Sequence, residues 1–293
     1  MRNALYWTQN AALRTLLTAV RPLPLARRRA VVARATETLV RTMPPLSARA
    51  RDNLRLVWPD MPAAEREALI ARTARNAGRT LTDIWFNADF AAECAGLVAE
   101  GPGLATLREA AAAGRGAIVV SGHFGRWEAI RHVLRGAGLE CGALYRPNNN
   151  PYYEPLFRGG IEIGGRPIIP KGKQGNRALI RHLRDGGRMA LLLDQHVADG
   201  ALLPFLGHPA LTATAMAELA LRYDLPFVPA FAPWIGGRSG RPRVVIEAPI
   251  PPDGGATGMM RAFNDRLGSW VARHPSQWHW FHRRWKGSAG TSA

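Results

Sequence analysis

Residues 117–128 read A-I-V-V-S-G-H-F-G-R-W-E. Residues 117–121 form a short run rich in β-branched side chains, which favours a strand. Gly122 permits a sharp turn, Gly125 loosens the next step, and a helix is expected to begin near Arg126. This strand–turn–helix unit implies an α/β sheet and places His123 at the C-terminal end of a strand, the usual location of chemistry in such sheets. Had His123 and Glu128 shared one helix, five residues at the helical pitch would set them about 140° apart and out of reach. With the turn between them, Glu128 lies one turn into the following helix. Its carboxylate is then expected to point back, accept the Nδ1–H of His123 and stabilise the imidazolium formed when Nε2 takes a proton. No G-x-S-x-G or similar nucleophile motif accompanies the pair. The base is therefore expected to activate a hydroxyl that belongs to a substrate.

Elsewhere, strands and helices alternate. Strands are expected over residues 142–145, 189–194, 227–231 and 244–247, with helices over 127–134, 176–184, 213–223 and 258–273. Residues 1–100 read as helical throughout, punctuated by six prolines from Pro22 to Pro62, with a long amphipathic stretch over 63–86. The expected architecture is a mixed, mostly parallel sheet flanked by helices, with a helical N-terminal extension. A helical region 1–100 and an α/β core 101–293 then form one continuous structural domain, since no repeat or linker separates them.

The charge is unevenly spread. The chain of 293 residues carries a net charge of +17, and only Lys171, Lys173 and Lys286 among its basic residues are not arginine. Residues 1–80 hold fifteen Arg against five acids, a bias that favours an anionic partner such as a membrane face or an acidic carrier protein. No helix-turn-helix, zinc finger or aromatic-studded strand supports nucleic acid. No segment offers the roughly 18–20 apolar residues of a spanning helix. Residues 1–20 come nearest. On a helical wheel Leu5, Leu13, Leu16 and Val20 gather on one side, opposite Asn10, Arg14 and Thr18, and Tyr6 and Trp7 add interfacial character. Both a membrane-interface helix and a helix covering its own core fit this pattern. A cleavable signal peptide does not, since no small-residue cleavage site follows a compact apolar centre. Cys94 and Cys141 read as buried thiols of a reducing compartment. Asp194, His196, Asp199 and His208 match no standard ligand spacing, so no metal or other cofactor is expected.

The motif H-x4-[DE] after an apolar strand is the signature of the lysophospholipid acyltransferase superfamily, and the chain resembles its lipid A late acyltransferase branch. The resemblance runs in order across residues 50–286. It begins with Asn53-Leu54 and Trp58-Pro59 and continues through Tyr145-Arg146-Pro147 with Asn148 to Asn150, Arg158-Gly159 and Leu193-Asp194-Gln195. The loop from Pro204-Phe205-Leu206-Gly207 to Thr212 and the tail Trp280-Phe281-His282-Arg283-Arg284-Trp285-Lys286 complete it. Three features depart from the pattern: Leu206 stands for a second Phe, His196 for the usual acid, and the N-terminal anchor is less clearly apolar.

The resemblance implies an acyltransferase of lipid A and lipopolysaccharide biosynthesis. An acyl carrier protein or acyl-CoA would donate the chain to a hydroxyl of an anionic glycolipid, at the cytoplasmic face of a bacterial inner membrane. His123 and Glu128 are then the catalytic pair, and amides at the helix start near Arg126 would steady the oxyanion. Arg146 and Arg158 would grip acceptor phosphate. Asp194 would position a sugar hydroxyl or one of these arginines, with Gln195 also binding substrate and Phe205 and Gly207 shaping a loop beside the site. Thr212 would only cap the helix after it. Trp278, Trp280, Phe281 and Trp285 with the nearby cations suit either a membrane interface or the core. Related enzymes acylate phosphatidylinositol mannosides or lysolipids. A non-catalytic lipid- or carrier-binding protein, and a hydrolase in which His123 activates water, are the rival classes.

Overall fold

Prolines set the starts of the first helices, where a missing N–H costs nothing. The computed structural model describes residues 2–236 and 240–287. In it α1 (Arg2–Val20), α2 (Leu25–Thr42), α3 (Pro44–Val57) and α4 (Ala63–Trp85) follow one another, α2 and α4 directly after Pro24 and Pro62, and α3 with prolines in its first turn. Two shorter helices, α5 (Asn87–Cys94) and α6 (Gly103–Ala112), lead into the sheet. None of the described helices is long and apolar enough to cross a membrane. On α1 the wheel is only partly right: Leu17, Val20 and also Asn10 are buried, whereas Leu5 and Trp7 are exposed.

Strand β1 (Ala117–Ser121) is buried at every position, as a central parallel strand must be. It is followed by α7 (Glu128–Gly136), β2 (Cys141–Tyr145), α8 (Glu154–Glu162), β3 (Ile168–Pro170), α9 (Lys173–Arg184) and β4 (Arg188–Leu192). A hairpin of β5 (Ala201–Phe205) and β6 (His208–Thr212) precedes α10 (Ala215–Arg222), β7 (Phe227–Phe231), β8 (Trp234–Ile235), β9 (Arg241–Pro242), β10 (Val245–Ile246) and α11 (Gly255–Arg273). The main sheet has the order β10-β7-β1-β4-β2-β3, parallel except for β10. It is the mixed, mostly parallel sheet flanked by helices that the alternation predicts. The edge strand β3 and the helices α6 and α8 go beyond that reading.

Helices cover both faces of the sheet. One apolar cluster joins Val40, Leu54 and Leu69 of the first helices to Ile118, Leu191 and Phe231 of the strands, and a second lies behind the sheet around Val119, Ala129 and Val228. Trp278, Trp280, Phe281 and Trp285 belong to the first cluster, all below 9% exposure. Core packing, rather than a membrane interface, therefore accounts for the aromatic tail. The stretch read as a loop around Phe205 and Gly207 is the β5–β6 hairpin. Its two-residue turn holds Leu206 and Gly207 at φ 48° and 81°, the paired positive dihedrals of a tight hairpin.

Candidate active site

Parallel pairing of β1 with β4 sets Ser121 opposite Leu192. Two residues beyond each strand end stand His123 and Asp194, at the same edge of the sheet. The His123 backbone N–H donates to Asp194 Oδ2 at 2.8 Å, and its ring Nδ1 meets Asp194 Oδ1 at 2.7 Å. Trp278 Nε1–H donates to the same carboxylate at 2.8 Å. Burial alone would lift the Asp194 carboxyl, but the charge and hydrogen bonds of His123, with His282 behind it, hold it well below the ordinary carboxylate range. An ionised Asp194 fixes the Nδ1–H tautomer and leaves Nε2 as a lone pair. The His123 side chain is 20% exposed while that of Asp194 is fully covered. One nitrogen thus faces the cavity and the other faces its carboxylate, an arrangement suited to general-base catalysis.

Two glycines make this approach possible. A Cβ on Gly122 would fall 2.7 Å from Leu267 and 3.1 Å from Asp194 Oδ2, and one on Gly125, at φ 61°, would sit 2.1 Å from the Ala232 carbonyl.

The partner of His123 is therefore Asp194, which corrects the expectation placed on Glu128. Glu128 begins α7 and is buried, but its Oε2 accepts from Arg131 Nη1 at 3.0 Å. Arg131 also donates to the carbonyls of Ile161 (2.8 Å), Gly165 (2.5 Å) and Cys141 (3.3 Å). Burial raises the Glu128 carboxyl above its ordinary range, against the pull of Arg131. Among the described residues the Asp194 carboxylate bonds His123 and Trp278 and no arginine.

The amides just ahead of the α7 start are taken by other partners. The amide of His123 is spent on Asp194, Phe124 on the Gly122 carbonyl, Gly125 on Gln277 and Arg126 on Ala232. The donor nearest Nε2 is instead the Gln195 amide, 3.5 Å from His123 Nε2 and 3.2 Å from His282 Nε2. Three imidazoles pack here, with His282 centred 4.8 Å from His123 and 4.4 Å from His279. Burial, with the neighbouring His123, pushes His279 down to about 4, so it stays neutral at physiological pH. Sequence reasoning missed His279 and His282. Their signal was the tail segment, read for its aromatics and arginines rather than its histidines.

His123 opens onto a cavity of about 340 Å³. Its walls are largely apolar (Leu81, Ile84, Trp127, Leu144, Phe157 and Ile161 among them), Arg146, Asn148, Lys171 and Gln195 add polar groups, and Glu128 with Arg131 supplies a buried ion pair. Of the residues proposed from sequence, the structure thus brings His123, Glu128, Arg146 and Gln195 to one cavity, with Asp194 directly behind. Arg158 does not line it but pairs with Glu162 at 3.0 Å on the outside of α8. Phe205 stays in the core against Trp278, which in turn holds Asp194, and Gly207 serves the hairpin turn. Thr212 is buried and receives Arg284 rather than capping α10. Both cysteines are free and buried, and burial drives each thiol up to about 12, so neither is a nucleophile. Among the described residues no cluster of His, Cys, Asp and Glu has the geometry of a metal site.

Replacing Glu128 with Gln tests the corrected assignment. Arg131 loses the Glu128 carboxylate but keeps three carbonyls, so the variant is expected to lose about 1–3 kcal/mol of stability. Its turnover, measured on folded protein, should fall less than that of Asp194→Asn. A turnover loss as large, with unchanged melting, would return Glu128 to the chemistry.

A family model described as bacterial lipid A biosynthesis acyltransferase matches residues 1–287. Over 187 residues the chain is 25% identical to a phosphatidylinositol mannoside acyltransferase of Mycobacterium tuberculosis, covering 62% of this chain and 58% of that protein. Over 155 residues it is 31% identical to the lipid A biosynthesis palmitoleoyltransferase of Escherichia coli, covering 50% of this chain and 47% of that one. The chain thus spans about half the length of the curated relatives it matches.

Proposed function

The chain belongs to the bacterial lipid A biosynthesis acyltransferase family, and from that premise we propose that it transfers a fatty acyl group from a thioester to a hydroxyl of a glycolipid. The observation that carries this reading is the His123–Asp194 pair, with one imidazole nitrogen facing an apolar cavity rimmed by cations. The acyl chain takes the apolar walls, and the acceptor hydroxyl reaches Nε2 of His123. As the hydroxyl oxygen bonds to the thioester carbon, Nε2 takes its proton and Asp194 steadies the imidazolium. The tetrahedral intermediate then collapses, the carbon–sulfur bond breaks, and the leaving thiolate takes the proton from Nε2. With the amides of residues 123–126 spent on other partners, the Gln195 amide steadies the oxyanion, held from behind by His282. Arg146, bonded to Asn149 at 2.9 Å, remains the proposed phosphate contact on the acceptor. Arg158, outside the cavity, is withdrawn from that role.

The two relatives are named for different glycolipids, so the acceptor is proposed as an anionic glycolipid, first a lipid A precursor. Attachment to the cytoplasmic face of the inner membrane is proposed as peripheral. Helices α1 and α2 expose Leu5, Trp7, Val31 and Leu39 together with Arg2, Arg14, Arg27, Arg34 and Arg41, a combination that suits an anionic lipid surface. Purified protein given an acyl thioester and a lipid A precursor is expected to yield the acylated lipid, followed by mass spectrometry. Release of free fatty acid at the same rate without acceptor would make the protein a hydrolase, and absence of both would leave a binding protein.

A further inference from the structure

The first helices are not the only cationic surface. Helix α9 reads K-Q-G-N-R-A-L-I-R-H-L-R. It buries Gly175, Leu179 and Leu183 and holds no acidic residue, the first being Asp185 just beyond its end. Lys173, Arg177, Arg181 and Arg184 are all exposed. At about 100° per residue they fall within an arc of roughly 80°, a single ridge about 18 Å long. Among the described residues none of the four has a carboxylate within ion-pair distance, and Arg184 lies 6.0 Å over the Tyr223 ring.

The position of the ridge gives it meaning. Strand β3 is parallel to β2 and ends at the same edge of the sheet as β1, where His123 stands. Its continuation carries Lys171, which lines the cavity and whose amide donates to the Tyr145 carbonyl at 2.8 Å. Helix α9 starts two residues later and runs back along the sheet. A line of positive charge therefore begins at the cavity and leads away across the surface.

We propose that the α9 ridge is the docking surface for an acidic carrier protein that presents the acyl thioester at the cavity. This deepens the function proposed above by naming the donor class, and it rests on that reading. The choice of a protein over a membrane follows from side-chain chemistry. Helix α9 exposes no large apolar residue, whereas α1 and α2 expose Leu5, Trp7, Val31 and Leu39 as well as arginines. Membrane interfaces reward apolar and cationic groups together. A purely cationic ridge instead fits an acidic helix, held by charge and steered by it.

The test uses the full chain with Arg177→Glu/Arg181→Glu, both exposed and outside the cavity, and Arg177→Lys/Arg181→Lys as the charge-keeping control. The donors are acyl carrier protein loaded with a long-chain acyl group and the matching acyl-CoA. At low salt the reversed variant should raise KM for the loaded carrier about tenfold or more, with KM for acyl-CoA, kcat and the melting temperature unchanged. The lysine variant should behave as wild type, and added salt should shrink the difference. Carrier binding followed by fluorescence anisotropy gives the same ranking without turnover. If wild type transfers no acyl group, the proposed function fails, while the anisotropy still decides the docking surface. Equal effects on both donors, or no effect on the carrier, would overturn the proposal. So would loss of flotation with anionic liposomes in the reversed variant, which would make α9 a membrane contact.

Discussion

His123→Ala is expected to abolish acyl transfer while the protein stays folded. The ring is placed at the cavity to take the hydroxyl proton, and general-base action is worth typically 10²–10⁴-fold. Without it, turnover should fall by about 10³-fold or more. Folding should survive because the side chain is partly exposed and its removal leaves Asp194 two other donors, the residue-123 amide and Trp278 Nε1–H. The measurement is single-turnover acyl transfer beside a thermal melt. Turnover within tenfold of wild type in a folded variant would remove His123 from the chemistry and the proposed mechanism with it.

Asp194→Asn is expected to lower kcat nearly as far, by about 10³–10⁴-fold, with small changes in KM for either substrate. In serine proteases the same change leaves geometry intact but presents the wrong imidazole tautomer. Here an Asn amide facing Nδ1 would favour the proton on Nε2, the nitrogen that must accept it. The fold should hold, since the Asn oxygen can still accept from the residue-123 amide and Trp278. Steady-state kinetics varying each substrate, with the tautomer read by NMR of the labelled histidine, separates this from a packing defect. A loss below tenfold with the tautomer unchanged would show that the pair is not coupled, whereas partial recovery in Asp194→Glu would support a carboxylate requirement.

These effects differ from what the sequence suggests about Glu128 because proximity along the chain is a poor guide to partnership at a strand end. Glu128 is five residues from His123 yet turns toward Arg131, whose guanidinium is otherwise held by the carbonyls of Ile161, Gly165 and Cys141. Asp194 is 71 residues away and bonds the ring directly. Nothing local in Leu193-Asp194-Gln195 announces this. It follows from the order β1-β4 and from a register that sets Ser121 opposite Leu192.

Along the chain alone one can read a β-branched run, two glycines where the backbone must turn tightly, helices begun at prolines, and an ordered set of motifs that marks the family. The first three are short-range properties, set by backbone sterics and apolar periodicity within a dozen residues, whereas the motifs run in order across residues 50–286. Which polar groups meet is a matter of long-range packing, and the fold settles it. It spent the amides of residues 123–126 on other partners, drew the tail tryptophans into the core, folded the Phe205 segment into a hairpin, and brought His279 and His282 against His123. Such choices depend on how strands are ordered and paired across the sheet, because a buried polar group must find a partner wherever the packing puts one.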